Sequence, residues 1–287
     1  MRNFDAEKIM TYEYYGISGS MKTNNRIIND SILEKWGHVW ETNINENYKK
    51  YGDIVPSVTE LFNTKDGAAI ICGAGPSLEE NIESVRNNGA FVIATDRALK
   101  TLRDAGIKPD LIVSTDASEV VAEFLDSVES DDTVCLMWAQ SPVTFDLVAG
   151  RGARMYGFMH TVPGSKLMMK TFRGTHKRLS PGLKKYFGLK ADVTVTSCAI
   201  DLAYWMGFET IFTIGNELSW KTKEDAMKYR NIEEIYEVHL SDGTKRWTIV
   251  PFYTAAKSAP WWPKKYKDAE FLDMSGGIME GWATIAL

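Results

Sequence analysis

Cysteine and histidine are scarce in this sequence, and their scarcity argues against several kinds of site. The three cysteines, Cys72, Cys135 and Cys198, lie far apart, each in an apolar segment. This pattern is typical of buried free thiols in a reducing compartment, so we expect neither disulfides nor a cysteine-held metal. The four histidines show no HxH or HExxH spacing, so we expect no dedicated zinc site.

Long apolar runs are lacking as well. No run approaches the roughly 20 residues of a membrane span, and the first residues, MRNFDAEKIMTYEYYG, lack the apolar core of a signal peptide. The hydrophobic content of 44% is nevertheless enough for a globular core. These features predict a cytoplasmic protein without a membrane span, and they leave its oligomeric state open.

Acidic residues are missing from one interval of a chain whose formal net charge is −5. No Asp or Glu occurs between Asp146 and Asp192, where ten basic residues stand: Arg151, Arg154, Lys166, Lys170, Arg173, Lys177, Arg178, Lys184, Lys185 and Lys190. A solvated surface usually mixes both signs, so this basic block predicts an anionic ligand, with donor phosphates, an anionic acceptor and a nucleic acid as candidates. Internal ion pairs, or pairs with a dimer partner, are the alternative.

A strand–turn–helix pattern is the main feature that the sequence does contain. The apolar run Ala68–Cys72 stops at a loop that leads into helix-forming residues; the loop is Gly73, Ala74, Gly75, Pro76 and Ser77. Glycines permit close backbone approach, and the start of a helix attracts anions, so the loop is a candidate phosphate site. An ordinary turn is the alternative, because the loop matches neither GxGxxG nor GxxxxGK[ST].

Alternating apolar strands and helices follow, which predicts an α/β fold with a mostly parallel sheet and helices on both faces. The predicted strands are Ala68–Cys72, Ala90–Thr95, Leu111–Thr115, Thr133–Trp138, Ala153–Met159 and Thr210–Ile214. We expect a helical extension over residues 1–65 and a core over 66–220 with a basic insertion at 160–192. An α+β extension over 221–287 would close over the site, with a charged helix at Lys221–Val238 and a hairpin around Ser241–Thr244.

Polar groups follow several of these strands, at the sheet edge where α/β proteins bind ligands. Asp96 and Asp116 end two strands, and Gly215 and Asn216 follow a third. Each aspartate is a candidate for binding Mg²⁺, bonding a ribose or accepting the acceptor's proton, and Asp116 is the favoured one. Helix capping is the alternative role. His160, after the fifth strand, is a candidate general base or acid, or a loop residue without a role.

Aromatic and basic residues offer candidates for acceptor binding. Trp261, Trp262 and Tyr266, interleaved with lysines, could stack on a base or a sugar ring. The alternative is a surface turn anchored by tryptophans. Within the basic block, four residues are candidate contacts to phosphate or acceptor: Arg173, His176, Lys177 and Arg178.

Four segments carry a family likeness: GAGPSLEENI, IATDRALKTLRDAGIKPDLIVSTD, VTSCAIDLAYWMGFETIFTIGNEL and DMSGGIMEGW. Over about residues 50–285 the chain resembles the family that joins archaeal 6-hydroxymethylpterin diphosphokinase (MptE-like) to bacterial motility accessory factor (Maf) glycosyltransferases. Its GxGPSL loop is also similar to that of bacterial sialyltransferases, where the loop holds the nucleotide of a CMP-sugar.

The resemblance implies a Rossmann-like fold and a nucleotide donor, either a CMP- or UDP-type sugar or ATP with Mg²⁺. It implies that the loop from Gly73 to Leu78 binds the nucleotide and that Gly215 and Asn216, at a later strand end, bind it too. Ser275, Gly276 and Gly277 would form a further nucleotide-binding turn that closes over the site. Relatives often have Asp where Asn216-Glu217 stands, which argues against a metal there. Glycosyl transfer is the favoured activity; a diphosphokinase and a catalytically idle nucleotide-binding protein are the alternatives.

Overall fold

A parallel β-sheet forms the centre of the protein in the computed structural model, which describes residues 36–161, 188–190 and 194–285. The strands, in chain order, are β1 Ala68–Cys72, β2 Phe91–Thr95, β3 Leu111–Ser114, β4 Thr133–Met137, β5 Arg154–Thr161, β6 Gly188–Lys190, β7 Thr210–Ile214, β8 Ile235–His239, β9 Lys245–Ile249, β10 Glu270–Asp273 and β11 Ala283–Thr284. The main sheet has the order β11-β10-β7-β1-β2-β3-β4-β5-β6, and all its described pairings are parallel. The prediction of an α/β fold with a parallel sheet is confirmed.

Helices alternate with these strands. They are α1 at 36–51, α2 Pro76–Glu80, α3 Ile82–Asn87, α4 Ala98–Asp104, α5 Val121–Phe124, α6 Pro142–Gly150, α7 Val195–Met206, α8 Lys223–Met227, α9 Val250–Ser258 and α10 Trp261–Lys265. The longest of the wholly described connecting helices, α7, contacts β1, β2, β3, β6 and β7 and is buried from Thr196 to Met206. A helix that is apolar nearly all round belongs in the interior, and α7 lies there. No helix in the described ranges is long and apolar enough to span a membrane.

The C-terminal part differs from its prediction in two respects. The expected helix over Lys221–Val238 is wrong, because α8 ends at Met227 and residues 235–239 pair as β8 with β9. Their β-branched and aromatic side chains favour a strand over a helix. In addition, β10 pairs with β7, so the sheet continues beyond residue 220 instead of ending there. The hairpin turn around Ser241–Thr244 is confirmed.

The chain reverses its direction of travel across the sheet between β1 and β7. From β1 the strands add in sequence order on one side to β6, and β7 then pairs on the other side of β1. Such a topological switch point creates a crevice beyond the carboxyl ends of the two strands, where open α/β sheets bind ligands. The loops that follow β1 and β7 are therefore the first place to look for a site.

Two glycines allow those loops to touch. The Gly73 N–H donates to the Ile214 carbonyl at 2.8 Å, and a Cβ built on Gly73 would lie 2.3 Å from the Gly215 carbonyl oxygen. Gly215 has a φ of +69°, and a Cβ there would lie 2.1 Å from the Gly73 carbonyl oxygen. Both positions therefore need glycine, because the obstructing atoms belong to rigid backbone.

We predict that Gly73→Ala lowers the free energy of unfolding by about 1–3 kcal/mol, because the added methyl group overpacks a contact between two backbones. Gly150→Ala is the matched control, since a Cβ at Gly150 meets nothing within 4 Å. The control should be neutral or slightly stabilising. Denaturant titration of both variants tests this, and equal unfolding midpoints would contradict the close approach.

Candidate functional site

The loop after β1 is tied to the loop after β7 by hydrogen bonds. The Gly75 N–H donates to the Gly215 carbonyl at 2.8 Å, and the Gly215 N–H donates to Ser77 Oγ at 2.8 Å. The Ser77 N–H donates to Glu217 Oε1 at 2.6 Å. The two groups of residues predicted to bind a nucleotide thus lie side by side, but several of the loop's donors already have partners within the chain.

Glu217 occupies the space that the sequence suggested for a phosphate. Its side chain is 5% exposed, and a Cβ on Gly75 would lie 1.7 Å from Glu217 Oε2. Burial raises the pKa of the Glu217 carboxyl, and hydrogen bonds from Ser77 oppose that shift. The carboxylate thus supplies the negative charge that the start of a helix favours. Sequence reasoning missed this contact, although the Asn216-Glu217 departure from the family pattern pointed to the position.

The late glycine-rich turn covers the loop after β7. Ser275 Oγ accepts from the Asn216 N–H at 3.0 Å, and the Ile278 N–H donates to the Glu217 carbonyl at 3.0 Å. A Cβ on Gly277 would lie 2.0 Å from that carbonyl oxygen. The turn Ser275–Gly277 therefore packs directly on residues 216–217.

Asp96 and Asp116 have different surroundings. Asp96, 7% exposed, accepts from the Arg97 N–H at 2.8 Å and from the Ser114 hydroxyl at 2.9 Å. Burial raises the pKa of the Asp96 carboxyl, and the negative charge of Asp116 contributes to the shift. Asp116 itself is exposed and accepts from the Ser118 N–H at 2.9 Å, as turn residues do. The structure therefore favours Asp96 over Asp116 as a functional carboxylate. Among the described residues, no three His, Cys, Asp or Glu side chains are grouped to hold a metal.

A small cleft with a cavity volume of about 20 Å³ opens beside Asn216, between the start of α7, the loop after β7 and the helices α9 and α10. Its lining residues are Thr194, Thr196, Ser197, Ile200, Asn216, Leu218, Ala255, Ser258, Ala259, Trp262 and Met279. Hydroxyl and amide groups are mixed there with an aromatic ring and aliphatic carbon, and none of the lining side chains is charged. This cleft was not predicted from the sequence.

The tryptophans lie inside the protein. Trp261, Trp262 and Tyr266 are 7%, 2% and 3% exposed, and their rings pack against one another. The expectation that these rings offer exposed stacking faces to an acceptor is therefore wrong. Their apolar surface is needed to cover Phe271 of β10 and Tyr204 of α7. Trp262 still contributes to the wall of the cleft.

One member of the basic block is also internal. Lys190 is fully buried, and its Nζ lies 4.6 and 4.3 Å from the ring centroids of Trp261 and Trp262. Burial lowers the pKa of Lys190 to about 7 and raises that of Asp201, whose carboxylate accepts from the Lys190 N–H, to about 6. Lys190 therefore contributes to the core and is no surface contact for an anion.

The structure describes some of the other residues of the basic block. Arg151 lies 3.6 Å from Asp126 in an exposed ion pair. His160 belongs to β5 and is opposite Leu189 in the register, so β5 continues past the predicted end at Met159 because β6 pairs with it. Arg154 is exposed at the start of β5. The other candidates lie outside the described residues: Lys166, Lys170, Arg173, His176, Lys177, Arg178, Lys184 and Lys185.

Comparison with known proteins agrees with this architecture. A family model described as "6-hydroxymethylpterin diphosphokinase MptE-like" matches residues 42–223, more than half of the chain. The chain belongs to the MptE-like family. The match covers the strands from β1 to β7 and includes the loops at the switch point, so the family suspected from the sequence motifs is confirmed.

Two further similarities place this MptE-like protein among its relatives. An uncharacterized protein of Treponema pallidum (strain Nichols) is 34% identical to it over 88 residues, which are 30% of this chain and 41% of that protein. The structure of the Maf glycosyltransferase from Magnetospirillum magneticum AMB-1 superposes with a TM-score of 0.59 at 18% identity, covering 80% of this chain and 37% of that one. The second similarity supports the Rossmann-like fold. The chain spans less than half the length of either protein.

We predict that Glu217→Ala lowers the free energy of unfolding by about 2 kcal/mol, because the Ser77 N–H loses a charged acceptor in a buried place. Glu217→Gln keeps an oxygen acceptor and should lose less. Chemical denaturation of both variants at neutral pH measures the difference. Equal losses would mean that the side chain acts through packing and not through this hydrogen bond.

We also predict that the stability difference between the wild type and Glu217→Gln depends on pH. Because the folded protein raises the pKa of Glu217 above its ordinary 4.5, it binds that proton more tightly than the unfolded chain does. The resulting stabilisation is complete below pH 4.5 and is lost as the pH rises through the folded-state pKa. The stability of the wild type relative to Glu217→Gln should therefore fall over that window. A difference that stays constant with pH would contradict the raised pKa.

Proposed function

We propose that this MptE-like protein is a transferase that takes a sugar from a nucleotide-activated donor and gives it to an anionic acceptor. The observation that carries the proposal is the uncharged, hydroxyl-rich cleft at the carboxyl edge of the sheet, next to the switch point. Ligand sites in α/β proteins lie in this position, and they combine apolar walls with a few well-placed polar groups.

The chemistry of the cleft suits a sugar hydroxyl. Thr194, Thr196, Ser197 and Ser258 carry hydroxyls that both donate and accept, and Asn216 adds an amide. The cavity of about 20 Å³ lies far below the roughly 300–1,000 Å³ of a site that encloses a whole ligand. The cleft would therefore take one polar group of the donor sugar, with the rest of the donor outside it.

The donor phosphates would lie at the start of α7. This helix has twelve residues, no acidic residue in its first turn and no side-chain capping bond from Thr194. Its positive end favours an anion there. At the start of α2, by contrast, Glu217 already binds the Ser77 N–H. The loop from Gly73 to Ser77 would then border the nucleoside without holding the phosphates.

Asp96 is our candidate for the base that deprotonates the acceptor. A carboxylate with a raised pKa is a stronger base than an ordinary one, and Asp96 ends the strand next to β1. The anionic acceptor is inferred from the basic block, and nucleic acid is one candidate for it. The membership of the family also supports a second activity, diphosphoryl transfer from ATP with Mg²⁺, since the family is named for a diphosphokinase.

We predict that a CMP- or UDP-sugar raises the melting temperature of the protein in a thermal-shift screen, because a ligand that binds only the folded state stabilises it by mass action. Ala255→Phe, which would fill the cleft, should abolish the shift. Ile54→Phe is the control, since Ile54 is 70% exposed and does not line the cleft.

The screen also separates the candidate activities. A shift with ATP and Mg²⁺ but with no nucleotide-sugar would favour the diphosphokinase and overturn the glycosyltransferase. Binding of a nucleotide-sugar without turnover in the presence of any acceptor would favour an idle binding protein.

We predict that Asp96→Asn lowers turnover of the bound donor by at least about 100-fold while leaving its affinity unchanged, as expected on loss of a general base. Asp116→Asn should change turnover by no more than a few-fold, because Asp116 is an exposed turn residue. Steady-state kinetics on both variants measures the contrast. The reverse order of effects would assign the role to Asp116.

A further inference from the structure

A directed chain of hydrogen bonds leads from the end of β4 to Asp96. The Gln140 Nε2–H donates to Ser114 Oγ at 2.6 Å, and the Ser114 hydroxyl donates to Asp96 Oδ2 at 2.9 Å. The other carboxylate oxygen, Asp96 Oδ1, accepts from the Arg97 N–H at 2.8 Å. Gln140, Ser114 and Asp96 thus follow three neighbouring strands, β4, β3 and β2, at the same edge of the sheet.

The direction of this chain follows from the chemistry of its members. An ionised carboxylate only accepts, so the single proton of the Ser114 hydroxyl points to Asp96. Ser114 Oγ can then receive a donor, and the Gln140 amide provides one. Since Ser114 and Gln140 are both 0% exposed, water does not compete for these positions. Each oxygen of Asp96 thereby has one fixed donor.

The chain extends to the N-terminal helix. Asn47 of α1 donates through Nδ2 to the Gln140 carbonyl at 2.8 Å and to the Trp138 carbonyl at 3.0 Å. These bonds fix the backbone from which the Gln140 side chain projects. Helix α1 is therefore connected to the Asp96 carboxylate through two residues, Gln140 and Ser114.

The Gln140 amide also destabilises the folded protein. Gln140 Oε1 is buried and has no hydrogen-bond partner among the described residues. An unsatisfied buried acceptor destabilises a protein, so an apolar side chain would suit this position better if packing were its sole purpose. The amide is explained if its Nε2–H is needed by Ser114.

We propose that Ser114 and Gln140 are positioning residues that hold the Asp96 carboxylate in one orientation as an acceptor of the substrate's proton. The inference rests on the role proposed above for Asp96. Ser114 bonds the Asp96 carboxylate directly and Gln140 bonds Ser114, so both act on the reaction through the carboxylate.

The test follows the titration of Asp96 directly. Protein labelled with ¹³C at the aspartate carboxyl carbons is titrated by NMR, and the Asp96 signal is identified by its absence from Asp96→Asn. We expect Ser114→Ala and Gln140→Leu to shift the Asp96 titration midpoint to higher pH, because each removes or misdirects a hydrogen bond that favours the anion. Ser114→Thr should restore the wild-type midpoint. The charged groups that act on Asp96, Arg97 and Asp116, are unchanged in these variants.

Two controls separate orientation from stability. Ser118→Ala alters a serine near Asp116 that is not a member of the chain, and it should leave the Asp96 midpoint unchanged. Gln140→Leu should keep the melting temperature close to that of the wild type, since it removes a buried amide whose Oε1 has no partner. A purely structural role for Gln140 predicts the opposite combination, a lower melting temperature with an unchanged midpoint.

Turnover of CMP-N-acetylneuraminate or UDP-N-acetylglucosamine, whichever the protein binds, gives the second measurement. The acid limb of the pH profile should move to higher pH in Ser114→Ala and Gln140→Leu, with the donor KM unchanged. Unchanged Asp96 midpoints in both variants would overturn the inference even if the enzyme turns over. Displaced midpoints in a protein that turns over neither donor would support the hydrogen-bond chain and count against the proposed glycosyl transfer.

Discussion

The contact between the loops after β1 and β7 is the constraint on which the rest of the site depends. Two backbones approach so closely at Gly73 and Gly215 that neither tolerates a Cβ, and the Ser77 N–H and the Glu217 carboxylate join them further out. Because the switch point lies between these two strands, the contact decides how much of the crevice stays open. The remaining space lies on the side of α7.

Glu217 occupies the position beside the glycine-rich loop where a ligand phosphate was expected. From the sequence, Gly75 was expected to leave space for a phosphate. In the structure the Glu217 carboxylate fills that space, since a Cβ built on Gly75 would clash with it. The chain thus satisfies the start of α2 with its own anion, at the cost of burying a carboxyl whose pKa rises. A ligand anion would find a better place at α7, whose first turn holds no acidic residue.

The burial of Trp261 and Trp262 removes them as stacking surfaces for a proposed acceptor. Trp261 and Trp262 enclose Lys190 and cover β10 and α7, so they hold the wall of the cleft in place. The ring of Trp262 meets the cleft from inside the protein. An acceptor of the proposed transfer would therefore be recognised by groups other than exposed tryptophan faces.

The sequence by itself determined the order of strands and helices, the parallel sheet and the family, because apolar runs and turn residues are local signals. It also identified Gly73, Asp96 and Gly215 as strand-end residues, since the ends of parallel strands meet at one edge. The partner of Ser77 and the chain from Gln140 to Asp96 join residues that lie far apart in the sequence, and local patterns do not encode such pairs. The Lys221–Val238 helix was mispredicted because its charged residues were given more weight than the β-branched and aromatic side chains of residues 235–239, which pair as β8 with β9. Only the tertiary structure decided which anion the loop binds, which aspartate is buried and where the cleft lies. Each of these depends on which segments of the chain pack against one another.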